Sequence, residues 1–296
     1  MSAADAAATA DADATLGAER CRPDDPFHDY LLLPYLPPRP AAGKLRSVNL
    51  LLESFALMGV AEQGRRLVAA LLGELGPFRT VWGIKHVPAQ GGLSLGWEVY
   101  FYRRDAGNGE PTLEGVLGAL APHLEVAARP AMPYRWELFS VELTAGTLAS
   151  GRGGELDVYV GMRAYRAHGR ELELKNFYTF DDPGLRLDRV LERLLAAVHA
   201  PRDGEEISRL LPRELLAGCP RVCVANKRQA DGLYFSHLRL EQLRVFLDAH
   251  GWPVEVRQWI DRHADQLDHL LWDAGYDFRR AGRGLEFLRS GLYGFL

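Results

Sequence analysis

The chain has 296 residues, of which 47% are hydrophobic and 25% charged, and its formal net charge is -4 at pH 7. That apolar share excludes a wholly disordered chain. The slight acidity excludes a generally basic nucleic-acid binder but not a local basic pocket.

Residues 1 to about 26 are rich in Ala, Asp and Thr with almost no bulky apolar groups, so burial there cannot offset the entropy of ordering. Pro34, Pro37, Pro38 and Pro40 then mark an extended connector. The expectation is a disordered tail over 1–44 and one folded domain over 45–296. Leu50, Leu51, Phe55 and Met58, then Leu67, Leu71, Leu72 and Leu75, recur at helical spacing, and Gly76-Pro77 ends the second run. The period then drops to two. Thr80 to Val87, a Gly91-Gly92 turn, and Trp97, Val99 and Phe101 alternating with Glu98, Tyr100 and Tyr102 predict a hairpin.

A short helix is predicted over Thr112 to Leu124. Strands follow at Trp136 to Thr144, Leu156 to Tyr165 and Glu171 to Phe180. Helical spacing returns from Leu187 to Val198 and from Ile207 to Leu216. Arg221 to Lys227 and Gly232 to Leu238 form a hairpin. Helices at Leu240 to Leu247 and Val254 to Leu267 precede a last hairpin, His269 to Phe278 with Leu285 to Phe295.

The order is a repeat of paired helices and paired strands. Short turns make the strands antiparallel, and no glycine-rich phosphate loop follows a strand. Leu156, Val158, Leu233 and Phe235 form apolar strand faces, opposite Asp157, Tyr159, Tyr234 and Ser236. The expected class is α+β: an antiparallel barrel of about ten strands ringed by about seven helices, with the polar face lining a lumen. Three cysteines are too few, and odd in number, for a disulfide framework. Cys219 and Cys223 lack a second Cys/His pair and read as buried thiols. No stretch approaches the ~20 apolar residues of a membrane span. The N-terminus lacks a secretory signal pattern. A cytoplasmic monomer with no membrane span and no nucleic-acid partner is expected.

Four segments, in chain order, carry a likeness. They are Ala149-Ser150-Gly151-Arg152 before Glu155-Leu156-Asp157-Val158, Lys175-Asn176-Phe177-Tyr178, Lys227-Arg228-Gln229 before Leu233-Tyr234-Phe235-Ser236, and Glu286 to Tyr293. With the repeat over 45–296, they resemble the soluble aromatic prenyltransferases of the ABBA, or PT-barrel, fold. The resemblance implies transfer of an allylic isoprenoid from its diphosphate to an aromatic small molecule or peptide. It implies diphosphate contacts at Lys175, Lys227 and Arg289, and tyrosines at 178 and 293 in the lumen. In metal-dependent members an aspartate at the place of Asp157 binds Mg2+.

Prenyl transfer needs fixed cations for the departing diphosphate and aromatic faces for the allylic cation. By strand parity Lys85, Lys175, Lys227 and Arg289 suit the first need, and Tyr100, Tyr159, Tyr234 and Tyr293 the second. Tyr178 points outward by its parity with Leu172 and Leu174 but inward by the resemblance. Glu98 and Asp157 are candidates for taking the acceptor's proton, or for structural hydrogen bonds. A catalytically silent barrel that binds a hydrophobic small molecule is the alternative from another class.

Overall fold

The computed structural model describes residues 18–88, 93–103, 111–130, 136–201, 204–282 and 284–296. Alternating side chains give strands β1 (Thr80–His86), β2 (Leu95–Tyr102), β3 (Leu138–Thr144), β4 (Glu155–Val160) and β5 (Arg163–His168). Next come β6 (Glu171–Asp181), β7 (Val222–Lys227), β8 (Asp231–Leu238), β9 (Trp272–Ala281) and β10 (Gly284–Phe295). Each pairs antiparallel with its neighbour in sequence, and β1 pairs with β10, so the sheet closes as a ten-stranded barrel. Closure leaves no edge strand to recruit another chain.

The helices are α1 (Val48–Leu57), α2 (Ala61–Leu75), α3 (Leu113–Leu120), α4 (Ala145–Ser150) and α5 (Pro183–Ala196), then α6 (Gly204–Leu210), α7 (Arg213–Leu216), α8 (Leu240–Ala249), α9 (Val254–Arg262) and α10 (Ala264–Leu267). Their apolar stripes meet the barrel's outer face. Phe55, Leu67, Leu71, Leu243 and Phe246 are buried with Trp82, Trp97, Val141, Leu156, Val158 and Phe235. Each such side chain contributes about 1.5–3 kcal/mol. Three indole N–H groups in this layer find partners: Trp97 donates to Ser54 and Trp252 to Ser290, each at 2.8 Å, and Trp82 to the Phe295 carbonyl at 3.0 Å. Gly64 permits the close approach of α1 and α2, since a Cβ there would lie 2.3 Å from the Phe55 ring. Among the described residues no helix is long and apolar enough to cross a membrane.

Several expectations need correction. The stretch Leu156 to Tyr165 is two strands, because Gly161, at φ +58°, turns the chain between β4 and β5. The single helix expected over Ile207 to Leu216 breaks at Pro212, which precedes α7. The one over Val254 to Leu267 breaks at His263. Helix α4 was not foreseen; a reciprocal capping box between Thr144 and Thr147 starts it.

The largest correction concerns the N-terminus. Residues 1–17, like the Gly91-Gly92 turn, lie outside the described residues. From residue 18 the chain is packed on the barrel rather than forming part of a disordered 1–44 tail. Cys21 donates its backbone N–H to Lys44 and accepts from Gly43. Arg46 holds Asp25 through Nε and Nη2 at 2.8 and 2.9 Å. Asp29 is fully buried and accepts the N–H groups of Leu31 and Leu33. Composition misleads here because this order comes from a few polar anchors together with single apolar contacts, Cys21 and Phe27 against the core, and not from an apolar stripe.

Candidate active site in the barrel lumen

Strand alternation sends one face of every strand inward. The eleven side chains singled out above, Lys85, Glu98, Tyr100, Asp157, Tyr159, Lys175, Tyr178, Lys227, Tyr234, Arg289 and Tyr293, all line one central cavity. The ambiguity at Tyr178 is resolved by a β-bulge. Ala164 pairs with Asn176 and Tyr165 with Leu174, so Lys175 is unopposed. The extra residue reverses the parity of β6. Leu174 therefore stays outside while Asn176 and Tyr178 enter the lumen.

The cations do not stand free in this structure. Glu98 and Glu142 lie directly opposite on β2 and β3, a like-charge pairing that is unfavourable alone. Lys85 bridges them, contacting Glu98 and lying 2.9 Å from Glu142. Arg166 joins Glu142 at 2.8 Å and also holds Asp157. Lys175 lies 2.5 Å from Asp157. Across the lumen, Lys227 Nζ and Arg289 Nε converge on the two oxygens of Asp277, at 2.5 and 2.6 Å. Gly232 leaves room for this carboxylate; a Cβ there would lie 2.7 Å from its Oδ1.

The two partners in this last cluster are not equally compensated. Burial pushes the Asp277 carboxyl up, but Lys227 and Arg289 hold it down to about 2. Burial pushes the Lys227 ammonium down; Asp277 pulls it back, Arg289 and Lys85 oppose it, and it settles at about 8. Asp277 has two cations, whereas Lys227 has one carboxylate and two cationic neighbours. Lys227 is thus the group that gains most from another anion. Burial also pushes Asp157 up to about 7, with Lys175 opposing and Glu98 and Glu142 adding to the rise. Glu98 shifts the other way: burial raises it, but Lys85 overrides and the net shift is downward.

Beside this ionic layer stands a collar of tyrosines. Tyr100, Tyr159, Tyr178, Tyr234 and Tyr293 line both the central cavity and a second one of about 430 Å³ that also includes Leu31, Val81, Met162 and Phe180. Tyr159 and Tyr178 stack with centroids 6.1 Å apart, and Tyr293 lies 6.0 Å from Tyr100 and 6.1 Å from Tyr234. Lys227 Nζ donates to the Tyr234 hydroxyl at 2.8 Å and sits 5.4 Å from the ring centroid, so it meets this phenol at its hydroxyl edge and leaves the ring face to other partners. Beyond the ionic layer a third cavity, about 420 Å³, is bordered by Arg166, Lys175, Lys227, Arg228 and Arg289. The lumen therefore runs from a basic mouth, through an ionic waist, to an aromatic cavity.

Sequence reasoning missed Glu142, Arg166 and Asp277. Parity offered a signal for two of them: Glu142 alternates with Val141 and Leu143, and Asp277 with Tyr276 and Phe278, both pairs of neighbours being apolar or aromatic. Asp157, the residue offered to magnesium, has one oxygen taken by Arg166 and the other by Lys175. Among the described residues no group of three or more His, Cys, Asp or Glu side chains is arranged to hold a metal ion. The donors around Asp157 as placed do not fit a resident magnesium.

No protein-family model matches this chain, and no curated protein matches it.

Proposed function

We propose that the chain is an aromatic prenyltransferase, moving an allylic isoprenoid from its diphosphate to an aromatic acceptor. The observation that carries this reading is the convergence of Lys227 and Arg289 on one lumenal point beside a tyrosine collar. The diphosphate enters from the basic mouth and takes up Lys227 and Arg289, with Lys85 and Lys175 behind them. The allylic C–O bond breaks and its electron pair leaves with the diphosphate. The allylic cation lies against Tyr234 and Tyr293, whose rings stabilise charge and exclude water. An aromatic carbon of the acceptor forms the new C–C bond, and its displaced proton passes to a carboxylate. Asp157 suits that step better than Glu98, since a base works best with a pKa near the working pH. Both carboxylates are engaged in this structure, Glu98 by Tyr100, Ser140 and Lys85 and Asp157 by Arg166 and Lys175. The protein's own ammonium and guanidinium groups supply the positive charge.

Two observations favour the second reading, a silent barrel holding a hydrophobic small molecule. The cations are already paired, and the waist encloses only about 30 Å³. Incubation with dimethylallyl, geranyl and farnesyl diphosphates and a panel of phenols and indoles, followed by mass spectrometry, separates the two. A prenylated product is expected. Calorimetry with a non-hydrolysable prenyl diphosphate analogue adds the site test. Lys227→Ala and Arg289→Ala should each weaken binding roughly 10- to 150-fold, the worth of a charge-assisted hydrogen bond of about 1.5–3 kcal/mol. No binding by the wild type at millimolar analogue would refute the transferase reading. Equal binding by both variants would keep the activity and move the site.

A further inference from the structure

Part of the aromatic cavity's wall is not barrel. Residues 27–35 form a small loop that doubles back on itself: the Tyr35 N–H donates to the Phe27 carbonyl at 3.0 Å and the Asp29 N–H to the Leu33 carbonyl at 2.9 Å. The loop carries Tyr30 and Leu31 into the cavity wall. Its base is held by the Asp25–Arg46 pair and by the bonds of Cys21 to Gly43 and Lys44. Its tip is held by buried carboxyls. Asp273 on β9 accepts the Tyr30 N–H at 2.7 Å and, through its other oxygen, the His237 N–H at 3.2 Å. The Tyr102 hydroxyl donates to the Tyr30 carbonyl. Asp29 is fully buried; one oxygen accepts the N–H groups of Leu31 and Leu33, and the other lies 3.4 Å from His237 Nε2. Two carboxyls, one on the loop and one on the barrel, thus share one histidine.

Strain and incomplete bonding both collect at this joint. Among the described residues, three non-glycine residues have positive φ: Leu32 at the loop tip (+64°), His237 (+60°) and Phe78 (+59°), which borders the small cavity beneath the loop with Phe27 and Tyr35. Such backbone persists only where the surroundings enforce it, and it gathers at switches. Asp29 Oδ2 and His237 Nε2 are buried and make no hydrogen bond among the described residues. Their contact becomes an ion pair only when the imidazole is protonated.

We propose that residues 27–35 are a pH-controlled lid on the aromatic cavity, latched by Asp29, His237 and Asp273, closed in mild acid and opening as the pH rises. The lid is the same whether the cavity serves a transferase or a silent binder. Burial, and then Asp29, push the Asp273 carboxyl well above its ordinary value, against the pull of the Tyr30 and His237 N–H groups. A proton held more tightly in the closed state stabilises closure at low pH. That stabilisation is lost as the pH rises from the ordinary carboxyl range through the raised value. Two carboxylates then oppose each other across the joint, and a neutral His237 no longer offsets Asp29. The other groups facing Asp273 are Tyr30 and Tyr35 on the loop, Tyr102 on β2, Tyr293 on β10 and Cys219 ahead of β7. Burial raises each of them, so they stay neutral while the carboxyls charge. Arg46 and Asp25, beneath the loop, are paired with each other.

Hydrogen exchange, expressed as protection relative to an unstructured chain at the same pH, reads the lid against the strands. From pH 5.5 to 8.5 protection of residues 29–35 should fall roughly tenfold or more, since each tenfold gain in proton affinity on closure is a tenfold change in the closed-to-open ratio. Protection in β1 and β9 should stay unchanged. Asp29→Asn keeps an oxygen for both loop N–H groups and removes the charge; it should cut the fall to about threefold or less. At pH 8.5 the same variant should slow iodoacetamide labelling of Cys223, which lines the same cavity, read by mass spectrometry of its peptide. Constant protection of the wild-type loop, a loss shared equally by the strands, or an undiminished fall in Asp29→Asn would each overturn the proposal. So would equal Cys223 labelling in the two proteins. The wild-type exchange decides by itself if the variant does not fold.

Discussion

Diphosphate binding should draw a proton onto Lys227. Its ammonium has an ordinary value of 10.5 and sits at about 8 in the folded, ligand-free protein. At pH 8.5 a group of that pKa is roughly 75% neutral. A diphosphate placed against Lys227 and Arg289 adds negative charge where cations outnumber carboxylates, and restores the ammonium. Phosphate groups with second pKa values near 6 are fully ionised at pH 8.5, so the proton comes from solvent and not from the ligand. Binding at pH 8.5 should therefore take up roughly 0.7 proton, falling to near zero from this group at pH 6.5. Calorimetry with a non-hydrolysable geranyl diphosphate analogue, repeated in buffers of different ionisation enthalpy, measures that number. Lys227→Met should abolish it while retaining some binding through Arg289. Wild-type uptake below about 0.2, or undiminished uptake in Lys227→Met, would refute the electrostatic reasoning. Stability against pH is the poorer assay. A depressed lysine favours folding as pH rises from about 8 to 10.5, but burial raises Cys21 and Cys219 from 9.0 to about 11. Those thiols hold their protons more tightly when folded and lose stability over much of the same range.

Gly275→Ala should disturb the collar from beneath, because a Cβ there would lie 2.2 Å from the Tyr234 ring and 2.7 Å from the Leu233 carbonyl. We expect a cost of about 1–3 kcal/mol in urea unfolding, and weaker analogue binding; an unchanged midpoint would show that the strand has slack. Deleting residues 1–35 removes the Asp25–Arg46 pair and the Asp29 and Tyr30 anchors. It should lower stability by at least about 2 kcal/mol, and a full-length melting temperature would return the segment to the status of a dispensable tail.

The alternation of side chains along a strand holds whatever lies beside it. Period-two runs were therefore enough to assign Lys85, Glu98, Asp157, Lys227, Tyr234, Arg289 and Tyr293 to the polar face, and the recurrence of helix and hairpin pairs to suggest a barrel. The same rule reached Glu142 and Asp277 in principle, but a carboxylate on a strand carries no mark of its partner. Which charges meet depends on register and on closure of the ring: Glu98 faces Glu142 across β2 and β3, while Asp277 joins Lys227 from β7 to Arg289 from β10. The direction of Tyr178 needed the bulge at Lys175, which exists only between two paired strands. Tyr30 was beyond the pattern altogether, because hydrogen bonds to Asp273 and from Tyr102, residues 243 and 72 positions away, set its place. Composition and periodicity are properties of neighbours in sequence. The electrostatic state of this lumen is a property of neighbours across a closed sheet, and only the tertiary structure decides it.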